Sequence, residues 1–433
     1  MDFVESTILH QAASVTVMDV NTGFVIYEYA QHELRYPASI TKIMTALIVI
    51  EEVEDLEEQM IFSEESILML PYYASRLWAL PGDELTVYEA LYALMLPSGN
   101  DAANALAEHI AGSVDDFVVM MNQRANEIGA LNTQFINPSG LPGEPQNTTS
   151  YDMALIMREA LTHPVFTRII STAEYALPPM QNFSEGRNIW NTNQLIRQGQ
   201  HFNPLVVGGK TGFTNAAQHT LVSYAVYGEH EVIISVLFAP QHATFSDTTA
   251  ILDYILEIPV QTVFDPTEQS WEIPVMQAFG YEFSEEGGVE IGIVTAQTNQ
   301  HIRLPLPQDA APIREVLNLP VFLSPPVRVG DILGSISIYS GDNLIDSLPI
   351  ISTNSVLPQI ATMPIMPTAT VNTVTDVEQM GGNSLNILIY AVSAVFVALL
   401  VVILLINRQM KIEQKRRRRA ARIRRNNRYS RFN

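Results

Sequence analysis

The sequence predicts an α+β protein: helices packed on one antiparallel sheet, then a small all-β domain, then a C-terminal transmembrane helix. Three observations predict it. Alternating apolar patterns stand at both ends of residues 1–262 with helical patterns between them. Short turn-punctuated strands fill 263–352, and Leu385–Ile406 is an uncharged run of 22 residues broken only by Asn386, Tyr390 and Ser393.

Residues 13–30 alternate apolar and polar on either side of Asn21-Thr22-Gly23, which reads as a β-hairpin. Pro37-Ala38 opens a helix of apolar period through Ser39–Leu47, with its proline at the start. A helical pattern spans 84–128, interrupted at Pro97-Ser98-Gly99-Asn100. Thr149-Ser150-Tyr151-Asp152 reads as a capping box opening the helix through Met157. Gly208-Gly209 marks a close backbone approach at a strand start. Two strand patterns, Thr220–Val226 and Glu231–Phe238, then meet at Gly228-Glu229, and a helix near 246–257 closes a sheet drawn from both ends of the domain. In 263–352 strands are expected near 288–294, 301–305 and 331–339, with a turn at Gly341-Asp342-Asn343. Residues 353–383, rich in Thr, Asn, Pro and Ser, read as a flexible stalk before a span at 384–407 and a basic tail at 408–433.

The apolar fraction of 47% over 433 residues excludes a disordered chain, and the absence of cysteine excludes disulfides, thiol chemistry and thiolate metal sites. The net charge of -22 is unevenly divided: residues 408–433 carry 12 Lys/Arg and one Glu, residues 1–407 carry 12 Lys/Arg against 45 Asp/Glu. So acidic a body argues against nucleic-acid binding. The span covers about 30 Å of hydrocarbon, and the basic tail beside it marks the cytoplasmic side, leaving the body outside the cell. Lipid-headgroup anchoring is preferred for that tail over nucleic-acid binding because it abuts the span. The N-terminal residues show neither a basic nor an apolar signal region. The expectation is a natural start upstream of Met1, preferred over insertion directed by the span itself.

Outside the tail there are two lysines, Lys42 and Lys210, and both lie in short motifs: Ser39-Ile40-Thr41-Lys42 and Lys210-Thr211-Gly212, with Ser98-Gly99-Asn100 between. Three residues apart on a helix, Ser39 and Lys42 share a face. A serine hydroxyl needs a base to become a nucleophile, and lysine serves only when burial or a second cation lowers its pKa. Lys210 is the other lysine available to supply that cation. A serine-x-x-lysine pattern arises about once by chance in such a chain and Lys-Thr-Gly in roughly a tenth of chains, so the ordered combination carries the signal.

These motifs resemble those of the penicillin-binding proteins and serine β-lactamases, whose shared β-lactamase/transpeptidase-like fold is an antiparallel sheet with packed helices. Pro37–Thr45, Ser98–Asn104, Asn137–Leu141, Tyr151–Ala154 and Lys210–Thr214 narrow the likeness to the low-molecular-mass D-alanyl-D-alanine carboxypeptidases, over about residues 10–260. The resemblance implies Ser39 as nucleophile, Lys42 as general base and Ser98 as proton carrier to the leaving D-alanine. It implies substrate binding by Asn100, Lys210, Thr211, Gly212 and Phe213, with the terminal carboxylate on Lys210 and Thr211 and an oxyanion hole of the Ser39 and Phe213 N–H groups. No cofactor is implied. Its partners would be peptidoglycan stem peptides ending in D-Ala-D-Ala, β-lactam antibiotics as covalent inhibitors, and the membrane through the C-terminal helix. One departure stands out: where family members often carry an arginine for the carboxylate, this chain has Ala239-Pro240-Gln241-His242.

The alternatives are a β-lactamase and an inactive envelope scaffold. Against the first, no Glu-x-x-x-Asn arrangement follows Ser98 in the expected region; against the second, every motif side chain is intact. The nine histidines lack metal-ligand spacing. Trp78, Trp190 and Trp271 are expected to be packing residues, and Met120-Met121 core.

Overall fold

A computed structural model describes residues 10–357 apart from 69, 278–289 and 308–309. The expected span, its basic tail and the stalk beyond residue 357 lie outside the described residues. Among the described residues no helix is long and apolar enough to cross a membrane.

Strands β1 (Ser14–Asp19) and β2 (Val25–Tyr29) form the expected hairpin. Asp19 closes it by accepting hydrogen bonds from the Thr22 N–H and hydroxyl, both at 2.8 Å. A 3-10 turn (Ala38–Thr41) runs into α1 (Lys42–Glu52), followed by β3 (Gln59–Ile61), α2 (Glu64–Leu68) and β4 (Glu84–Thr86). Next come α3 (Val87–Met95), α4 (Asn100–Ala111), α5 (Val114–Ile128), α6 (Ser150–Leu161) and α7 (Pro164–Ser171). The hairpin of β5 (Glu174–Leu177) and β6 (Arg187–Trp190) precedes β7 (Val206–Thr214), β8 (Gln218–Tyr227), β9 (His230–Ala239) and α8 (Ala243–Glu257).

The main sheet has the order β2-β1-β9-β8-β7 and is antiparallel throughout. The first strand is thus zipped to a strand more than 200 residues later, Ser14 opposite Leu237 and Asp19 opposite Val232. Strand periodicity assigns each face its own core. Val222, Ile233 and Leu237 join the helices α1 and α3–α7, whereas Leu221, Ile234 and Val236 join α8. β1 is buried on both faces, and its polar positions Ser14 and Thr16 meet Ser150 of α6 at 2.8 Å.

Two helical details correct the sequence reading. The 84–128 pattern contains a second break, where Gly112 ends α4 in the left-handed region and the Ser113 hydroxyl caps α5 through the Asp116 N–H. At α6 the Thr149 hydroxyl accepts from the Asp152 N–H, but the Asp152 carboxylate accepts from Asn132 N and Thr133 Oγ1 instead of closing a box. The reciprocal box is at α3, between Thr86 and Glu89.

The β-rich remainder has β11 (Trp271–Gln277), β12 (Glu290–Gln297), β14 (Ile313–Asn318), β15 (Ile332–Ser340) and β16 (Asn343–Ser352) in one sheet, ordered β11-β12-β16-β15-β14. Strands β10 (Val260–Phe264) and β13 (Ile302–Pro305) pair beside it. Phe264, Ile302, Ile336, Ile338 and Ile350 continue the same apolar cluster that lies between α8 and the main sheet. Each such buried side chain contributes roughly 1.5–3 kcal/mol of burial free energy. Trp78 and Trp190 are half exposed, 50% and 49%, and so are not the packing residues the sequence suggested, whereas Met121 is core as expected.

Candidate active site

The nucleophile candidate sits where a 3-10 turn becomes an α-helix. In 3-10 geometry residues three apart eclipse, and Lys42 Nζ donates to Ser39 Oγ at 3.1 Å. The same amine donates to Asn100 Oδ1 at 2.6 Å and to the Ser139 carbonyl at 2.6 Å. Lys42 is fully buried. Burial first, and then the charge of Lys210, hold its amine well below the ordinary lysine value, opposed by Asp101. The amine is within hydrogen-bond reach of the alcohol, and its lowered pKa favours the neutral form that a general base requires.

Two glycines permit this closeness. Gly140 has φ +84°, and a Cβ there would lie 1.8 Å from the Ala38 carbonyl oxygen. Its loop is held by Asn137, whose Oδ1 accepts from Ser139 N, Ser139 Oγ, Gly140 N and Leu141 N. Gly212 lies against the serine itself: a Cβ would be 2.8 Å from Ser39 N and 2.4 Å from Thr220 Oγ1. β7, an edge strand, therefore packs backbone-to-backbone on the nucleophile turn.

Lys210 is buried too, and burial brings its amine down to about 7. Its Nζ donates to the Thr211 carbonyl at 2.9 Å. The Thr211 hydroxyl is 2.6 Å from the Thr192 hydroxyl. Phe213 is 53% exposed, its ring 4.5 Å from that of His219. Ser98, at φ +64°, is buried with a hydroxyl that has no hydrogen-bond partner.

The structure thus joins Ser39, Lys42 and Asn100 by direct hydrogen bonds and sets Gly212 against Ser39. Ser98 lies two residues from Asn100 but makes no such bond. Three contributors were not read from the sequence. The Ser139 carbonyl acts through a backbone atom, although its Asn-Pro-Ser-Gly turn was visible. Thr192 carries no motif. Asp101 is 0% exposed, and its carboxylate accepts from the N–H groups of Leu77, Trp78 and Ala79 at 2.8, 2.9 and 3.4 Å. Burial raises its pKa while those N–H groups oppose the rise. Among the described residues no carboxylate is hydrogen-bonded to Ser39, Lys42 or Ser98, and no cluster of His, Asp and Glu could hold a metal ion.

The D-alanyl-D-alanine carboxypeptidase family model of S11 peptidases matches residues 2–241. The chain belongs to that family. It is 36% identical over 255 residues to the D-alanyl-D-alanine carboxypeptidase DacF of Bacillus subtilis, covering 58% of this chain and 63% of that protein. DacB2 of Mycobacterium tuberculosis is 35% identical, covering 51% of this chain and 73% of that protein. Among solved structures, the S216A mutant of the Streptomyces K15 DD-transpeptidase superposes with a TM-score of 0.54 at 30% identity, over 57% of this chain and 98% of that one. The crystal structure of the carboxypeptidase DacD from Francisella tularensis gives 0.57 at 25% identity, over 83% of this chain and 97% of that one. The last likeness extends past the main sheet into the β-rich part.

Proposed function

We propose that the chain is a serine D-Ala-D-Ala carboxypeptidase that removes the terminal D-alanine from peptidoglycan stem pentapeptides. In this reading Ser39 Oγ attacks the penultimate D-alanine carbonyl carbon as its proton passes to Lys42 Nζ. The C–N bond breaks, the leaving amine takes a proton by way of Ser98, and an ester on Ser39 remains for water to hydrolyse. The Ser39 and Phe213 N–H groups would receive the developing oxyanion. Asn100 would orient Lys42 and a substrate amide, and Lys210 and Thr211 would take the terminal carboxylate. Penicillins would acylate the same serine.

The observation that carries this reading is the buried, pKa-depressed Lys42 amine 3.1 Å from Ser39 Oγ in a family of this activity. The test is mass spectrometry of a stem pentapeptide incubated with the ectodomain, together with labelling by a fluorescent penicillin. Loss of one D-alanine and a label that vanishes in Ser39→Ala support the reading; an unchanged label in that variant refutes it. Rapid release of bound penicillin would favour a β-lactamase instead.

The domain plan goes with this proposal: a peptidase domain at 1–262, an all-β domain at 263–352, a stalk at 353–383, a transmembrane anchor at 384–407 and a cytoplasmic tail at 408–433. The apolar run Leu385–Ile406 followed by Arg- and Lys-rich sequence supports the anchor and an extracellular catalytic domain. A membrane-impermeant protease that leaves the body uncut on intact cells would overturn that orientation.

A further inference from the structure

Beside the catalytic groups stands a wall of arginine and aromatic side chains that the reaction above does not use. The Arg76 guanidinium lies 5.8 Å from the Trp78 ring centroid, and that of Arg187 lies 4.4 Å from the Phe183 ring centroid. Arg187 Nη1 donates to the Leu77 carbonyl at 3.0 Å, so β6 and the segment around residue 77 form one surface. Arg76 Nη2 donates to the Leu70 and Pro71 carbonyls at 2.6 and 2.9 Å, while its Nε is buried without a partner. Among the described residues neither guanidinium pairs with a carboxylate, unlike Arg124, which holds Glu51 and Glu159.

This wall is tied to the reaction centre. The Asn100 N–H donates to the Ser75 carbonyl at 3.0 Å, and Asp101 holds the N–H groups of Leu77 and Trp78. Those bonds keep Trp78 at φ +66°, a conformation that a bulky side chain adopts only under constraint, with half its ring exposed. Tyr72 and Tyr73 next to it are 90% and 80% exposed.

We infer that this wall binds an acidic peptide, the carboxylate-bearing part of the stem that precedes the scissile bond. The inference rests on the carboxypeptidase reading and adds to it a determinant of substrate class. A body with 45 acidic against 12 basic residues repels an anionic substrate. Guanidinium groups already immobilised on rings and carbonyls offset that repulsion locally, and they keep free N–H donors in the fork geometry that carboxylates fit.

The experiment compares D-alanine release from two synthetic pentapeptides, one with free stem carboxylates and one with those carboxylates amidated. Two partly exposed ion pairs correspond to roughly a tenfold preference in kcat/KM for the acidic peptide at low salt, and the preference shrinks as salt is added. In R76Q/R187Q the preference falls toward one, and in R76K/R187K it is only partly retained, because an ammonium keeps the charge but neither the fork nor the ring stacking. Equal kcat/KM for the two peptides in the wild-type enzyme overturns the inference without needing any variant. So does a preference that survives in R76Q/R187Q. If neither peptide loses D-alanine, the carboxypeptidase reading is what fails; calorimetric affinity of Ser39→Ala for the two peptides then still judges the wall, equal affinities overturning it.

Discussion

The cleft and the β-rich region are built on opposite terms. All seven non-glycine residues with positive φ among the described residues, from Ala30 to His242, lie in the catalytic half, and Ala38, Trp78 and Ser98 are among those nearest the reaction centre. Both fully buried lysines are there too. Among its described residues the β10–β16 region has positive φ only at Gly330 and Gly341, and its core is Ile, Val, Leu and Phe. One region holds groups in conformations and charge states they would not choose; the other supplies apolar burial. The contrast teaches that strain sits where chemistry is assembled and is offset by packing elsewhere.

The sharpest way to break this comparison is Lys42→Ala. Removing the base is expected to lower penicillin acylation by about 10³-fold or more, read by stopped-flow or gel labelling; acylation within tenfold of wild type would show that the amine is not the base. Gly140→Ala comes next. Its methyl must displace the Ala38 carbonyl, so acylation should fall by about 10²-fold and stability by roughly 2–4 kcal/mol. Gly330→Ala is its control in the other region: φ is +88° but nothing lies within 4 Å, so only about 1 kcal/mol of strain is expected, with unchanged acylation. Equal effects at the two glycines would end the distinction.

Ile338→Ala probes the apolar side. Ile338 is 0% exposed, so truncation should cost about 2–5 kcal/mol in denaturant unfolding while acylation at low temperature keeps its wild-type rate. A proportionate loss of acylation would mean that the two regions are not separable.

The smallest effect is in pH dependence. Acylation needs neutral Lys42, so it should rise with pH until Lys42 has lost its proton, whereas carboxylate binding by Lys210 weakens as pH rises through about 7, so KM climbs. A bell-shaped kcat/KM profile follows. For stability the sign is reversed from that of a paired lysine. Between about 7 and 10.5 the unfolded chain binds the Lys210 proton that the folded chain has released, so folding free energy becomes more favourable with rising pH across that window. Lys42, whose amine is also lowered by burial, adds to the same slope, so Lys210→Met is expected to show a shallower rise than wild type; an unchanged slope would remove Lys210 from the account.

Much of this was legible beforehand because it is carried by residue type and spacing. Ser39, Lys42, Asn100 and Lys210 announce themselves through rare lysines in fixed motifs, and the hairpin and the paired strands β8 and β9 through period-two patterns. What escaped is carried by position. The Ser139 carbonyl is a backbone atom any residue owns, and Asp101 matters through the three N–H groups that a distant loop brings to it. Strands β11 and β14 lack flanking turns strong enough to separate them from loop. The helix break at Gly112-Ser113 was hidden by apolar periodicity on both sides. The lowered pKa of Lys210 depends on burial, which no spacing reveals.

The pairing of Ser14–Asp19 with Val232–Leu237 has a consequence for the order of events in synthesis. Sequence-distant pairing is slow to form and waits for the later partner. A nascent chain that has not yet reached Ala239 lacks β9, the strand that joins β1 to β8, and cannot complete the main sheet. Closure of the main sheet therefore waits for β9, and it can take place while the β-rich part and everything after it are still to be made.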